Sequence, residues 1–251
     1  MNHESSITDP VSTPSMRMIL AGSSGRMGHE LTSLAQTDPH LHIVACINSK
    51  SPLSCLKTQF LSDRDAFDIL VDFSDQVCTN DLIQFADQCN KPMLVGTTGL
   101  TDSTMEKIRE SSTKIPILVA SNTSTAIALM HRLVEQAASL LGSTHQIGLE
   151  EVHHVHKKDA PSGTARSLAR SMRIHCSAAP SDDQVTSIRR DDVPGTHTVS
   201  FTSGEDQLVI QHSAMSRSLF ARGAIEMARW LVRMPPGLYG PEDWLEQAMN
   251  P

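Results

Sequence analysis

Three of the twelve histidines fall within four residues, at His153, His154 and His156, and Lys157 and Lys158 follow directly. The run continues Asp159-Ala160-Pro161-Ser162-Gly163-Thr164-Ala165. Imidazole exchanges protons near neutral pH and lysine supplies positive charge, so the cluster suits proton transfer beside an anion. Ser162 has the chemistry of a helix N-cap, and Gly163 and Thr164 would then present unpaired amide N–H groups and a hydroxyl. A helix start of that kind binds carboxylate or phosphate. Two other readings compete. A zinc site wants a carboxylate or cysteine partner at the usual spacing, a poor match to so local a set, and no metal is expected. A solvated basic loop leaves the cap and the alternating pattern ahead of it unexplained. The other nine histidines, His29, His40 and His131 among them, read as ordinary surface or capping residues.

A second group suits a dinucleotide. Gly22-Ser23-Ser24-Gly25-Arg26-Met27-Gly28 follows a short apolar run and opens a helical pattern. Glycines let the backbone bend sharply and approach a pyrophosphate, while the helix start aims N–H groups at it. Arg26 can add a charge-assisted bond. An ordinary glycine-rich turn reads the same way locally, but the strand before and the helix after favour dinucleotide binding. A carboxylate at the end of the second strand would bond the 2′-hydroxyl of NADH. This chain has Asn48-Ser49-Lys50 there, so NADPH is expected to serve at least as well as NADH. Gly96-Thr97-Thr98-Gly99 and Ala120-Ser121-Asn122-Thr123 end two further strands. Each turn is a candidate nicotinamide or ribose contact and, equally, a plain polar turn.

Such groups need a sheet to hold them. Met18–Ala21, His42–Ile47, Ile69–Phe73, Met93–Val95 and Ile117–Ala120 are short apolar runs separated by helical stretches. That alternation implies an α/β fold with a doubly wound, parallel, Rossmann-like sheet. After a helix near Ile127–Leu141 the period changes to two. Ile147, Leu149, Glu151 and His153 alternate with Gly148, Glu150, Val152 and His154. With Thr196–Phe201 and Gln207–His212 this predicts a second, α+β domain with a mixed or antiparallel sheet. A helix over Ala221–Val232 would return Ile225, Ala228 and Leu231 to the first sheet.

The 251 residues have length enough for one large domain or two small ones. A net charge of −7 and only nine aromatic residues argue against nucleic acid as partner. The apolar stretch Met16–Ala21 is too short for a membrane span, and residues 1–15 are polar with two prolines, a disordered tail by composition. Five cysteines without a C-x-x-C pair read as reduced thiols of a cytoplasmic protein.

Taken together, the Gly22–Gly28 turn, Val95-Gly-Thr-Thr-Gly99 and above all Glu151–Ala165 resemble the dihydrodipicolinate reductase family. Weaker echoes stand at Gly195-Thr196-His197-Thr198, Arg217–Ala224 and Gly237-Leu238-Tyr239. The family usually has Phe-Ser-x-Gly-x-Asn where this chain has Thr123-Ser124-Thr125-Ala126-Ile127-Ala128. The resemblance implies NADPH- or NADH-dependent reduction of a small cyclic imine dicarboxylate to tetrahydrodipicolinate. By position it implies His153 as proton donor or acceptor and Lys157 as a second donor. His154, Gly163 and Thr164 correspond to ligands of the substrate carboxylates. Gly22 to Met27, Gly96 to Thr98 and Ala120 to Thr123 correspond to cofactor contacts. Residues 16–124 with 217–251 would form the dinucleotide-binding domain, and 125–216 a substrate-binding and oligomerisation domain of a homotetramer. Another Rossmann-type reductase of amino-acid metabolism and a non-catalytic nucleotide binder are the competing functions.

Overall fold

Short strands buried on both faces need helices on both sides, and the chain supplies them in alternation. It runs β1 (Met16–Ala21), α1 (Arg26–Thr37), β2 (Leu41–Ile47), α2 (Leu53–Ser62), β3 (Ile69–Asp72), α3 (Gln76–Cys89), β4 (Met93–Val95), α4 (Asp102–Ser112) and β5 (Pro116–Val119). Then follow α5 (Thr125–Leu141), β6 (Gln146–His153), α6 (Gly163–His175), β7 (Thr186–Arg189), β8 (Thr196–Thr202) and β9 (Gln207–Ser213). Last come α7 (Ser218–Leu231), β10 (Gly237–Tyr239) and α8 (Pro241–Met249). This computed structural model describes residues 15–249, so the expected disordered tail over 1–15 lies outside it except for Ser15.

The first sheet has the order β10-β5-β4-β3-β1-β2 with every pair parallel. It is a doubly wound, Rossmann-like sheet. One face packs Leu20, Val71 and Leu118 against Leu31 of α1 and Ile225, Ala228 and Leu231 of α7. The other packs Ile19, Leu70 and Ile117 against Leu82 and Phe85 of α3 and Ile108 of α4. The chain steps from β1 outward to β2 and then back to β3, which opens a crevice at the strands' carboxyl ends. The sixth strand, β10, is only three residues long and only partly buried, so it carries no continuous apolar run.

The second sheet has the order β7-β6-β8-β9 and is mixed: β6 and β7 are parallel and the other pairs antiparallel. The period-two pattern holds. Ile147 and Leu149 of β6 and Val199 and Phe201 of β8 share one core with Ile127, Met130 and Val134 of α5 and Leu168 and Met172 of α6. The outer strand β9 is largely exposed, Leu208 and Val209 included.

The chain crosses between the sheets where Thr123 Oγ1 donates to the carbonyl of Phe220 at 2.7 Å. A Cβ on Gly223 would come within 1.8 Å of the Thr123 carbonyl oxygen, so only glycine lets α7 lie this close. All five cysteines are free. No helix among the described residues is long and apolar enough to cross a membrane. Gly223→Ala should therefore lower stability by roughly 1–3 kcal/mol, the usual cost of overpacking, in urea titration. Gly204→Ala, whose Cβ meets nothing within 4 Å, is the comparison. Equal midpoints for the two variants would contradict the close crossing.

Candidate active site

Sheet register assembles a polar row at one end of an otherwise apolar face. Glu151 on β6 stands opposite His197 on β8, which stands opposite His212 on β9. On the other side Glu151 neighbours Ser187 and His153 neighbours Arg189, both on β7. Glu151 is fully buried, and His153 and His197 nearly so. A carboxylate without water must be paired. Arg189 Nη2 donates to Glu151 Oε1 at 2.9 Å, the Ser162 amide donates to the same oxygen at 3.3 Å, and Glu151 Oε2 lies in direct contact with His153 Nδ1. Burial pushes the Glu151 carboxyl up, but the neighbouring His153, Arg189 and Ser187 side chains prevail and hold it at about 2.

The same guanidinium organises the loop that follows. Arg189 Nε donates to the Lys157 carbonyl at 3.3 Å, and Nη2 also donates to the Asp159 carbonyl. Lys157 Nζ pairs with Asp159 Oδ1 at 2.8 Å. Ser162 caps α6 as expected, its Oγ accepting from the Ala165 amide at 3.2 Å. Its hydroxyl proton is then free to go to His197 Nε2, 3.1 Å away. Burial and the charge of His153 push His197 down to about 3, so it is a neutral acceptor. Gly195 backs the catalytic-candidate ring: a Cβ there would sit 2.9 Å from His153 Nε2.

One contact and one electrostatic influence link this loop to the first sheet. Asn122 Nδ2, beyond β5, donates to Thr164 Oγ1 in the first turn of α6 at 3.0 Å. His154 is pushed to lower pKa by burial and by the charges of Arg217 and Arg26, the latter from the glycine-rich turn. Gly163 is exposed, with nothing within 4 Å of where a Cβ would stand. His153, His154, Lys157, Gly163, Thr164, Asn122 and Arg26 thus belong to one region of the molecule.

The turns of the first sheet suit a dinucleotide. Gly22 has φ +78°, and a Cβ on it would strike the Phe73 carbonyl oxygen at 2.2 Å; one on Gly28 would strike Gly22 O at 2.4 Å. Glycine is thereby required for the tight βα turn. Asp75, Thr101, Ser124 and Ser162 cap α3, α4, α5 and α6 through their side chains, whereas α1 starts at Gly25 with no such cap. Its first amides are left for an anion, and the residues present fit a dinucleotide phosphate.

Other expected contacts divide by what their side chains already do. Asn48 Nδ2 donates to Ser23 Oγ at 2.8 Å, and Asn48 Oδ1 accepts from the Lys50 and Ser51 amides, so Asn48 shapes the turn. Ser24, Ser49, Lys50, Thr98 and Ser121 are exposed. Thr97 and Ala120 are buried, and the Thr123 hydroxyl is committed to Phe220. A cavity of about 530 Å³ extends from Asn122 and Thr164 between α5, α6 and α8; neither His153 nor Lys157 lines it.

One expectation needs correction. Nine histidines read as ordinary, yet His197 is buried against His153, and the half-buried His212 stands opposite His197 on β9. Arg189 belongs to no motif, and Glu151 enters only as the first residue of the Glu151–Ala165 run. Cross-strand register brings these groups together, and a single strand's alternation does not contain it. Glu151, His153 and His197 offer ligand atoms within 4.8 Å of one another. Direct contact of Glu151 with His153, and Arg189 on its other oxygen, favours a proton and a guanidinium there over a divalent ion.

Comparison with known proteins agrees over nearly the whole chain. Residues 16–123 match the family model for the dihydrodipicolinate reductase N-terminus, and 126–245 the one for its C-terminus. A 4-hydroxy-tetrahydrodipicolinate reductase of Xanthomonas campestris is 34% identical over 240 residues, covering 93% of this chain and 99% of that protein. One from Zymomonas mobilis is 35% identical over 248 residues, covering 92% and 97%. Among solved structures, a dipicolinate-bound dihydrodipicolinate reductase from Paenisporosarcina superposes with a TM-score of 0.77 at 20% identity, covering 91% and 99%. A diaminopimelate dehydrogenase from C. glutamicum shares the fold at 12% identity, with a TM-score of 0.57 and coverage of 92% and 96%.

The buried row makes stability depend on pH. His197 is held below its usual 6.5 and Glu151 below its usual 4.5, so the unfolded chain binds more protons than the folded one as pH falls. Stability should therefore drop from pH 6.5 downward, first through His197, at a slope of order 1 kcal/mol per pH unit. In His197→Asn the urea midpoint should depend less on pH between 6.5 and 4.5 than in the parent. Parallel profiles would contradict a neutral, buried His197.

Proposed function

The chain belongs to the dihydrodipicolinate reductase family and is an NAD(P)H-dependent reductase, and we propose that it reduces the cyclic imine dicarboxylate formed from 4-hydroxy-tetrahydrodipicolinate to tetrahydrodipicolinate. The observation that carries this reading is the Asn122–Thr164 hydrogen bond of 3.0 Å, which joins the carboxyl-end crevice of the first sheet to the anion-binding start of α6. Cofactor edge and proton-donor loop meet there.

A reduced nicotinamide, when bound, supplies a hydride. Gly22 to Met27 would hold the cofactor's pyrophosphate through the uncapped amides of α1, with Arg26 adding charge. Exposed Ser49 and Lys50 beside the turn shaped by Asn48 can accept a 2′-phosphate, while Gly96, Thr98, Ala120 and Ser121 follow the carboxyl ends of β4 and β5. The substrate is a dianion. Its carboxylates would be taken by the Gly163 and Thr164 amides, the Thr164 hydroxyl and His154. Thr164 Oγ1 already accepts from Asn122, which leaves its own proton to donate.

Hydride addition to the ring leaves electron density that a proton must quench. His153 holds its Nδ1 against Glu151, so Nε2 is the nitrogen that can deliver that proton. Lys157 supplies positive charge and a second proton. Its partner Asp159 is half-exposed, and so weak a surface pair yields readily to an incoming carboxylate. Residues 16–124 with 217–251 form the dinucleotide unit in this scheme, and 125–216 the substrate unit. Closure between them would exclude water from the reacting atoms. A homotetramer assembled through the second sheet would cover Leu208 and Val209 of β9, and the free cysteines suit a cytoplasmic location.

The direct test mixes the protein with synthase-generated substrate and follows NADPH absorbance. Oxidation well above background is expected, and its absence would return the chain to the nucleotide-binding class. His153→Gln should lower kcat by about 100-fold or more while NADPH affinity stays nearly unchanged, the usual scale of acid catalysis. Lys50→Ala should weaken NADPH about tenfold and NADH hardly at all, as loss of one charge-assisted bond to phosphate would. Equal losses for both cofactors would remove Lys50 from the phosphate site.

A further inference from the structure

We propose that Glu151 and Arg189 form a positioning pair for both proton donors: Glu151 fixes the His153 ring and its tautomer, and Arg189 ties Glu151 to the backbone that carries Lys157. This deepens the reductase reading above and rests on it. Neither residue need touch substrate or cofactor.

The geometry has three parts. First, the fully buried Glu151 sets Oε2 against His153 Nδ1, while Arg189 and the Ser162 amide occupy Oε1. A carboxylate accepts only, so Nδ1 must carry hydrogen, and the proton exchanged with substrate is the one on Nε2. When that Nε2–H bond breaks, the proton passes to the ring atom that received charge on hydride addition. His153 is left neutral, with hydrogen on Nδ1, until solvent reprotonates Nε2. Second, Arg189 reaches three places with one planar group: Glu151 Oε1, the Lys157 carbonyl and the Asp159 carbonyl. Lysine has no fork able to copy that geometry. Third, the Arg190 amide donates to the His153 carbonyl at 2.8 Å, which locks the backbone of the two strands in register at this point.

The groups facing His153 come from every neighbouring element. Glu151 is on its own strand, Arg189 on β7, His197 on β8, and His154 and Lys157 are on the following loop. Glu151 is the one carboxylate among these groups, and it is the one in direct contact with the imidazole.

Glu151→Gln keeps the shape and removes the charge. It should lower kcat by about 100-fold and leave the substrate KM within about threefold. Arg189→Lys should lower kcat and also raise the substrate KM, because the Lys157 loop loses its anchor. Arg189→Met should do both more strongly. Circular dichroism and NADPH binding by fluorescence verify that each variant is folded. If Glu151→Gln does not fold, the histidine ¹⁵N spectrum of the unmutated, ligand-free protein decides. His153, assigned by its loss in His153→Gln, should appear as the Nδ1–H tautomer when neutral. An Nε2–H tautomer overturns the proposal, as does a folded Glu151→Gln variant with unchanged kcat. An unmutated protein that oxidises no NADPH with the substrate fails the reductase reading instead, and the tautomer remains readable.

Discussion

A carboxylate with no access to water, at the end of an apolar sheet face, is the constraint around which the candidate site is arranged. Glu151 cannot stay ionised there without partners, and the polypeptide provides them from three directions. Arg189 reaches it only because β7 runs parallel alongside β6. His153 reaches it from two residues along the same strand, on the same face. The Ser162 amide reaches it because the loop folds back over the strand end before α6 begins. Removing the carboxylate would free all three at once. Ion pairs buried this deeply are poor sources of stability, since desolvation offsets much of their attraction. Their value lies in holding one geometry.

Charge is sorted by location. The chain as a whole carries −7, yet Arg26, Lys157, Arg189 and Arg217 converge around the His153–His154 loop. A dianionic ligand meets a local field opposite in sign to the protein's average. Burial keeps His197 neutral in the midst of these cations, so its ring accepts the Ser162 hydroxyl and adds no further repulsion. The polar row therefore alternates in function across the sheet: acceptor ring, carboxylate, guanidinium.

Much of the fold was legible because its signals are local. Apolar runs such as Ile69–Val71 and the alternation from Ile147 to His153 report burial directly. The Ser162 cap could be read for the same reason, from one hydroxyl three residues before an amide. The remainder depended on distance in sequence. Arg189 lies 38 residues beyond Glu151, and no spacing rule links them. His197 looked ordinary because only the antiparallel register with β6 sets it opposite Glu151. Asn48 stands where a ribose contact was expected, but its amide is consumed by Ser23 and two backbone N–H groups. Asp72, buried at the end of β3 and bonded by Ser74 and Thr79, was likewise invisible until β3 met its neighbours.

The crossing at Thr123 and Phe220 has an evolutionary consequence. The polypeptide leaves the first sheet and returns to it at points joined by a single 2.7 Å hydrogen bond, with nearly a hundred residues looped out between them. An insertion whose ends touch imposes almost no demand on its host. The intervening cassette can be exchanged, shortened or enlarged while the nucleotide-binding half keeps its own core.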